Sequence, residues 1–440
     1  MKVLFISLGC DKNLVDSEFM LGKLSGGGFT VTDDETEADI IVINTCCFIL
    51  DAKEESIQSI IDMAWYRVNG RCRALIVCGC LAERYRDEIL KEIPEVDAVI
   101  GTNSTEDICD AIDSALAGNR FESYRPLTDV EKHDSRRIVS TGGHYAHLKI
   151  AEGCSKHCTY CIIPSIRGEF RSVPMEELLS QAEDMARAGV KELILVAQET
   201  TMYGVDIYGK KSLHILIDAL AKIHGIHWIR LMYCYPEEIY DELIASIKNN
   251  ENVCHYIDMP VQHINSDILR RMGRKTDENT IKSKIAALRA EIPDIAIRTS
   301  LICGFPGETP DQHEQLMEFI NETEFDRLGA FVYSQEENTP AALFEGQIDD
   351  ETRQAWKDEV MELQEEVILD KNETMKGLEM LVMVEGKVAD ENVFIGRSYR
   401  DAPDIDGYVF INSDEELNSG DFVNVRITGA YEYDLIADLI

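Results

Sequence analysis

Positive charge is scarce in this chain. Its 440 residues carry 43 Lys and Arg against 81 Asp and Glu, a formal net charge of -38. Affinity for nucleic acid comes largely from neutralising phosphates, so this surface repels RNA unless a local basic patch overrides it. The same field attracts a basic partner and speeds the encounter. Its plainest use is solubility. Long apolar runs are missing too. The apolar stretch between Lys2 and Gly9 is too short for a secretory signal, and no later run could span a bilayer. A cytoplasmic location and no membrane contact are expected. There is no internal repeat and no low-complexity tract. Cysteine, by contrast, is plentiful at 13 residues. In a cytoplasmic chain that number points to metal or reactivity rather than disulfides.

A chain of this length exceeds what one hydrophobic core organises, so two or three domains are expected. Over residues 1–120, strand-like runs at Lys2–Leu8, Asp39–Asn44, Ala74–Val77 and Ala98–Ile100 alternate with helical patterns at Val15–Leu24, Ala52–Val68 and Glu83–Glu92. Such alternation predicts a doubly wound parallel α/β sheet. Residues 121–143 are polar and irregular, and read as a linker. Residues 144–375 hold six further strand-like runs separated by helices, at His147–Ala151, Glu192–Ala197, Trp228–Tyr233, Tyr256–Met259, Ala296–Ile302 and Leu328–Tyr333. These predict a partial (βα)6 barrel with its site at the carboxyl ends of the strands. A charged amphipathic helix over Asp349–Met375 leads out of it. Residues 376–440 switch to short alternating segments broken by Gly and Asp, the pattern of a small antiparallel five-stranded β-barrel.

The densest chemical signal is Cys154-Ser-Lys-His-Cys158-Thr-Tyr-Cys161. Three thiolates can hold three irons of a cubane cluster and leave the fourth open to a chelating ligand. A zinc site with His157 is the alternative, although zinc usually recruits a second Cys-x-x-Cys pair and none follows. A second constellation is spread out. Cys10, Cys46 and Cys80 each stand just past a strand-like run, at intervals that each hold one βαβ unit. Parallel topology then brings all three to one sheet edge, where open α/β sheets bind ligands. Cys47, Cys72 and Cys109 read as small buried hydrophobes. Cys78 competes with Cys80, which is favoured by its place beyond the strand beside Gly79.

The pattern Cys-x3-Cys-x-aromatic-Cys resembles that of the radical S-adenosylmethionine (SAM) enzymes. The resemblance implies that the open iron at Cys154, Cys158 and Cys161 takes SAM. It further implies that Tyr160 packs beside the adenine, that Gln198 contacts the methionine moiety, and that Gly304, in Ile302-Cys-Gly-Phe-Pro-Gly-Glu308, lies near the adenine. Two three-cysteine sites followed by a terminal β-barrel resemble the methylthiotransferase family, which implies two 4Fe-4S clusters, SAM as cofactor and a C-terminal TRAM domain. The segments Ser7-Leu-Gly-Cys-Asp-Lys-Asn-Leu-Val-Asp-Ser-Glu18 and Pro260-Val-Gln-His-Ile264 resemble the branch that modifies an aspartate β-carbon of the small-subunit ribosomal protein S-twelve. The sister branch acts on an adenosine derivative in transfer RNA.

Charge favours the protein-modifying branch independently. Residues 376–440 hold 5 basic and 14 acidic side chains. A barrel that grips RNA needs a basic groove with aromatics, whereas this one suits a basic protein. The implied chemistry requires both cysteine triplets to face a common cavity. It requires an electron donor, which the sequence does not identify, and no catalytic side chain beyond the six cysteines. Arg167, Arg171, Tyr203 and Tyr233 fall near strand ends or the cysteine loop, where surface groups could steer an aspartate. A non-catalytic iron–sulfur or zinc scaffold is the remaining alternative.

Overall fold

The computed structural model describes residues 1–129 and 137–440. They form two compact units. One joins Met1–Ser140 with Ala151–Val173 and Ser334–Ala342, and is called here the cysteine unit. The other, the barrel unit, joins Thr141–Ile150, Pro174–Tyr333 and Leu343–Ile440. Among the described residues no helix is long and apolar enough to cross a membrane.

The cysteine unit is built on six parallel strands: β1 (Lys2–Ser7), β2 (Thr30–Thr32), β3 (Ile40–Thr45), β4 (Ala74–Gly79), β5 (Ala98–Ile100) and β6 (Phe121–Ser123). Their order is β2-β1-β3-β4-β5-β6. The central strands β3 and β4 are buried at every position, as expected where both faces of a parallel sheet are covered. Helices α1 (Asp11–Gly26), α2 (Leu50–Asn69), α3 (Cys80–Tyr85) and α4 (Ile108–Leu116) provide that cover. Met20 and Leu24 of α1 and Ile108 and Ile112 of α4 pack on Val3, Ile40 and Ile76. Ile60 of α2 and Leu81 of α3 pack with Leu4, Ile41 and Val77. Alternate residues of one strand thus feed two cores, the doubly wound arrangement that the alternation predicted. Each such fully buried aliphatic side chain stabilises the fold by about 1.5–3 kcal/mol.

Three local details differ from the sequence reading. The helix expected over Glu83–Glu92 is two short helices, broken at Arg86, whose φ of 45° is left-handed. The first of them starts earlier, at Cys80 itself. Phe121–Ser123, read as linker, pairs with β5 as the sheet's edge. Residues 130–136 of the expected linker lie outside the described residues.

The barrel unit holds six more parallel strands: β7 (Tyr145–Lys149), β8 (Glu192–Val196), β9 (Trp228–Leu231), β10 (Val253–Asp258), β11 (Ala296–Cys303) and β12 (Arg327–Val332). They neighbour one another in chain order, as expected of a partial barrel of βα units. A long helix, Asp350–Glu373, is capped by the Asp349 side chain, which accepts from Thr352 N at 2.9 Å. It leads to a closed barrel of β13 (Glu379–Lys387), β14 (Val393–Ser398), β15 (Val409–Asn412), β16 (Phe422–Tyr431) and β17 (Asp434–Leu439). This barrel is not wholly antiparallel. The β16–β17 hairpin closes it by laying β17 parallel to β15, and closure removes the exposed sheet edge.

Ion pairs join this small barrel to the strands of the larger one. Glu192 opens β8 and accepts from Arg230 Nε and Arg397 Nη2, each at 2.7 Å, and all three side chains are fully buried. Arg298 reaches Asp258 at 2.9 Å and Asp406 at 3.3 Å, and Arg400 reaches Asp326 at 2.8 Å. Burial alone would raise the Glu192 carboxyl, but Arg397 and Arg230 outweigh it and hold the group at about 2. Removing one partner of such a set strands an uncompensated charge.

Candidate functional site

Cys10, Cys46 and Cys80 stand just past the carboxyl ends of β1, β3 and β4, which are neighbours in the sheet. Cys10 is the N-cap of α1 and Cys80 is the first residue of α3. The glycine before each of these two cysteines makes the turn. Gly9 has φ 85° and Gly79 φ 89°. A Cβ on Gly9 would lie 2.6 Å from Cys46 Cβ and 2.8 Å from its Sγ, and one on Gly79 would lie 2.2 Å from Asn44 Oδ1. Only a residue without Cβ lets these turns approach so closely. Cys46 is pinned by the buried Ser56, whose Oγ accepts from Cys46 N at 2.9 Å and donates to Cys46 O at 2.8 Å.

Electrostatics also links the three thiols. Burial pushes the Cys46 thiol up, and Cys10 adds to the rise. Burial pushes Cys80 up further; the Arg167 guanidinium opposes it, while Cys47, Cys46 and Cys10 reinforce it. The rival Cys78 points elsewhere, into the core beneath α1 and α4 with Val3 and Ile100. Cys47 is fully buried in the opposite core and held at about 12, chiefly by burial. Among the described residues, no three His, Cys, Asp or Glu side chains converge as ligands of a single ion would. A cubane takes one thiolate per iron and does not require that convergence.

Cys154, Cys158 and Cys161 lie on an excursion clamped at its base by antiparallel pairing of Ala151–Glu152 with Arg171–Ser172. Cys154 N donates to Gly168 O at 3.0 Å and Cys161 N to Cys158 O at 3.0 Å. Cys154 and Cys158 are buried and Cys161 half-buried. His157 has a left-handed φ of 52° and turns to Glu169 at the surface, 3.1 Å away. Tyr160 is half-buried between Cys158 and Cys161. The helix that follows, Ile163–Arg167, docks on α3, with Ile162 and Ile166 in one core with Leu81, Ala82 and Cys80. Both triplets therefore belong to the cysteine unit.

Arg167 and Arg171 are not the surface groups that the sequence suggested. Arg167 is 2% exposed. Its Nη1 donates to Asp16 Oδ2 at 2.6 Å and Glu152 Oε2 at 3.3 Å, and its Nη2 to Asn13 Oδ1 at 2.9 Å and Cys80 Sγ at 3.4 Å. Arg171 is also buried and donates to the Leu127 and Glu169 carbonyls. In the barrel unit, Gln198 is half-buried two residues past β8. Gly304 follows β11 with φ 75°. Its N–H and that of Phe305 donate to Glu308 Oε2 at 2.8 and 3.0 Å, and Glu308 meets the fully buried His263 at 3.2 Å. Tyr203 is fully buried against Tyr208, too enclosed to steer a protein substrate. Tyr233 takes a left-handed φ of 59° past β9 and donates its N–H to Asp258 at 2.9 Å.

The residues that sequence reading missed are the polar supports. Asn13 Nδ2 donates to Leu8 O at 2.6 Å, and Asn44 Nδ2 to Asn13 O at 2.9 Å and Ser17 Oγ at 2.8 Å. The signal was present in α1, whose first half buries Lys12, Asn13, Asp16, Ser17 and Glu18 where a packing helix would bury aliphatics. A polar inner face must be satisfied by hydrogen bonds, and marks a site rather than a core.

A six-stranded parallel sheet in chain order, with a Cys-x3-Cys-x2-Cys excursion following its first strand, defines a radical SAM protein. Family models agree along the chain. Residues 148–320 match the Radical SAM superfamily, residues 377–440 the TRAM domain, and residues 2–101 the uncharacterized protein family UPF0004. The ribosomal protein uS12 methylthiotransferase RimO of Lachnoclostridium phytofermentans is 56% identical over 436 residues, 99% of each chain. Those of Clostridium botulinum and Acetivibrio thermocellus are 47% and 48% identical, covering 99% and 100% of this chain and 97% and 98% of theirs. The chain belongs to the RimO family of methylthiotransferases. The fold alone is shared with the radical SAM methyltransferase TsrM of Kitasatospora setae, at a TM-score of 0.56 and 12% identity over 78% of this chain and 75% of that one. It is shared likewise with the cobalamin-dependent radical SAM enzyme OxsB, at 0.52 and 14% over 82% and 57%.

Proposed function

We propose that this chain adds a methylthio group to the β-carbon of an aspartate in ribosomal protein uS12. The reading is carried by 56% identity to a uS12 methylthiotransferase across both full chains. Cys154, Cys158 and Cys161 would hold one 4Fe-4S cluster and Cys10, Cys46 and Cys80 a second, because each set offers three thiols and leaves one iron open. With SAM bound, these groups would supply a 5′-deoxyadenosyl radical for hydrogen abstraction and an open iron at which sulfur is held for methylation and transfer. The chain's own residues bind and orient. Gly9, Gly79 and Ser56 fix the Cys10, Cys46 and Cys80 thiols, and the paired strands around the excursion fix those of Cys154, Cys158 and Cys161. Tyr160, Gln198 and Gly304 are the residues assigned to SAM. An external electron donor completes the system, acting in the cytoplasm without a membrane.

Charge supports a basic protein as substrate over RNA. All five basic side chains of residues 376–440 face acidic partners within the barrel unit: Lys376 with Glu373, Lys387 with Glu416, Arg397 with Glu192, Arg400 with Asp326 and Arg426 with Glu379. Two of them, Arg397 and Arg400, are buried or nearly so. Little is left to neutralise phosphates. The test is to incubate reconstituted protein with SAM, a reductant and either uS12 or transfer RNA, and to follow mass. Methylthio gain on uS12 alone is expected. Gain on transfer RNA would overturn the reading, and absence of 5′-deoxyadenosine would favour a non-catalytic scaffold.

A further inference from the structure

We propose that Arg167 is a positioning residue that ties the two cysteine triplets together and sets the reduction potential of the cluster on Cys10, Cys46 and Cys80. The inference rests on the reading of those three cysteines as ligands.

A buried cation must be fully paired, and Arg167 is paired from two directions. Glu152 precedes the Cys154 excursion by two residues, and Arg167 itself ends the helix that follows Cys161. Its guanidinium therefore spans the base of that excursion. Its other contacts, Asn13, Asp16 and Cys80, all belong to the opposite triplet's helix starts. The arm that carries it is rigid. Ile166 is packed in the core beside Leu81, and Thr102 Oγ1 donates to Ile166 O at 2.7 Å. A displacement of one triplet's support is thus passed to the other through a single planar group. Lysine offers the same charge but not the fork that reaches Asp16, Asn13 and Cys80 at once.

The second consequence is electronic. Arg167 Nη2 aims an N–H at Cys80 Sγ from 3.4 Å. Hydrogen bonds to ligating sulfur and nearby charge are the main means by which a protein tunes an iron–sulfur potential. A cation here stabilises the more negative, reduced cluster and so raises its potential.

The test uses the full chain with Cys154, Cys158 and Cys161 replaced by Ala, so that the remaining iron belongs to the other triplet. Arg167→Gln and Arg167→Lys are then compared with this parent by iron content, by paramagnetic resonance spectrum and by midpoint potential. The midpoint is expected to move to more negative values in R167Q, with R167K between it and the parent. If R167Q does not hold the cluster, R167K alone decides, and its midpoint should still lie below the parent's. A full iron load with an unshifted midpoint and spectrum would overturn the inference. A parent that binds no iron would instead overturn the ligand reading on which the inference stands.

Discussion

The two cysteine triplets are built in opposite ways. Cys154, Cys158 and Cys161 are written into eight consecutive residues, and their spacing follows from one clamped excursion. Cys10, Cys46 and Cys80 are far apart in sequence and meet only because β1, β3 and β4 are adjacent parallel strands. The first set needs a loop; the second needs a folded sheet, two left-handed glycines and a buried serine. A local site resists perturbation of the fold, whereas a distributed one inherits every weakness of the elements that assemble it.

That contrast can be broken in graded ways. Cys158→Ala should abolish reductive SAM cleavage while iron at the distributed triplet remains; undiminished release of 5′-deoxyadenosine would refute the assignment. Gly9→Ala should lower iron to about half of a two-cubane load, because its Cβ would strike Cys46 and a left-handed Ala costs about 1–2 kcal/mol. A full load in that variant would show that the turn does not hold the site. Glu192→Gln should destabilise the barrel unit by about 3–5 kcal/mol by stranding Arg230 and Arg397, read from thermal unfolding, yet leave the iron count alone. The wild-type carboxylate is depressed to about 2. Its contribution is therefore present above the ordinary carboxylate range and lost as pH falls toward that value. The gentlest test is pH. Ligating thiols must lose their protons, and burial holds those of Cys46 and Cys80 above the usual value. Iron loading at the distributed triplet should therefore climb as pH is raised from neutral, and a flat profile would contradict this.

The same contrast explains how much was legible beforehand. The Cys-x3-Cys-x2-Cys run could be read directly, and the six barrel strands followed from alternation of strand and helix patterns. The trio of Cys10, Cys46 and Cys80 was reachable only by adding topology to position. Position alone separated Cys78 from Cys80 weakly; the packing of the Cys78 side chain in the core beneath α1 and α4 is a tertiary fact that the sequence does not record. Arg167 looked like one surface arginine among many, because nothing local records that Asp16, Asn13 and Glu152 surround it. The parallel β15–β17 pair was hidden for a similar reason, since strand direction in a closed barrel depends on the path of the whole chain. Short edge strands such as Thr30–Thr32 and Phe121–Ser123 carry too few residues for a period to show.

Iron analysis of reconstituted protein is the most direct check on the idea that six thiolates serve two cubanes. Unaltered protein should hold about eight irons per chain, and the Cys10→Ala, Cys46→Ala, Cys80→Ala variant about four. An iron content that does not change on removing those three thiols would contradict the account.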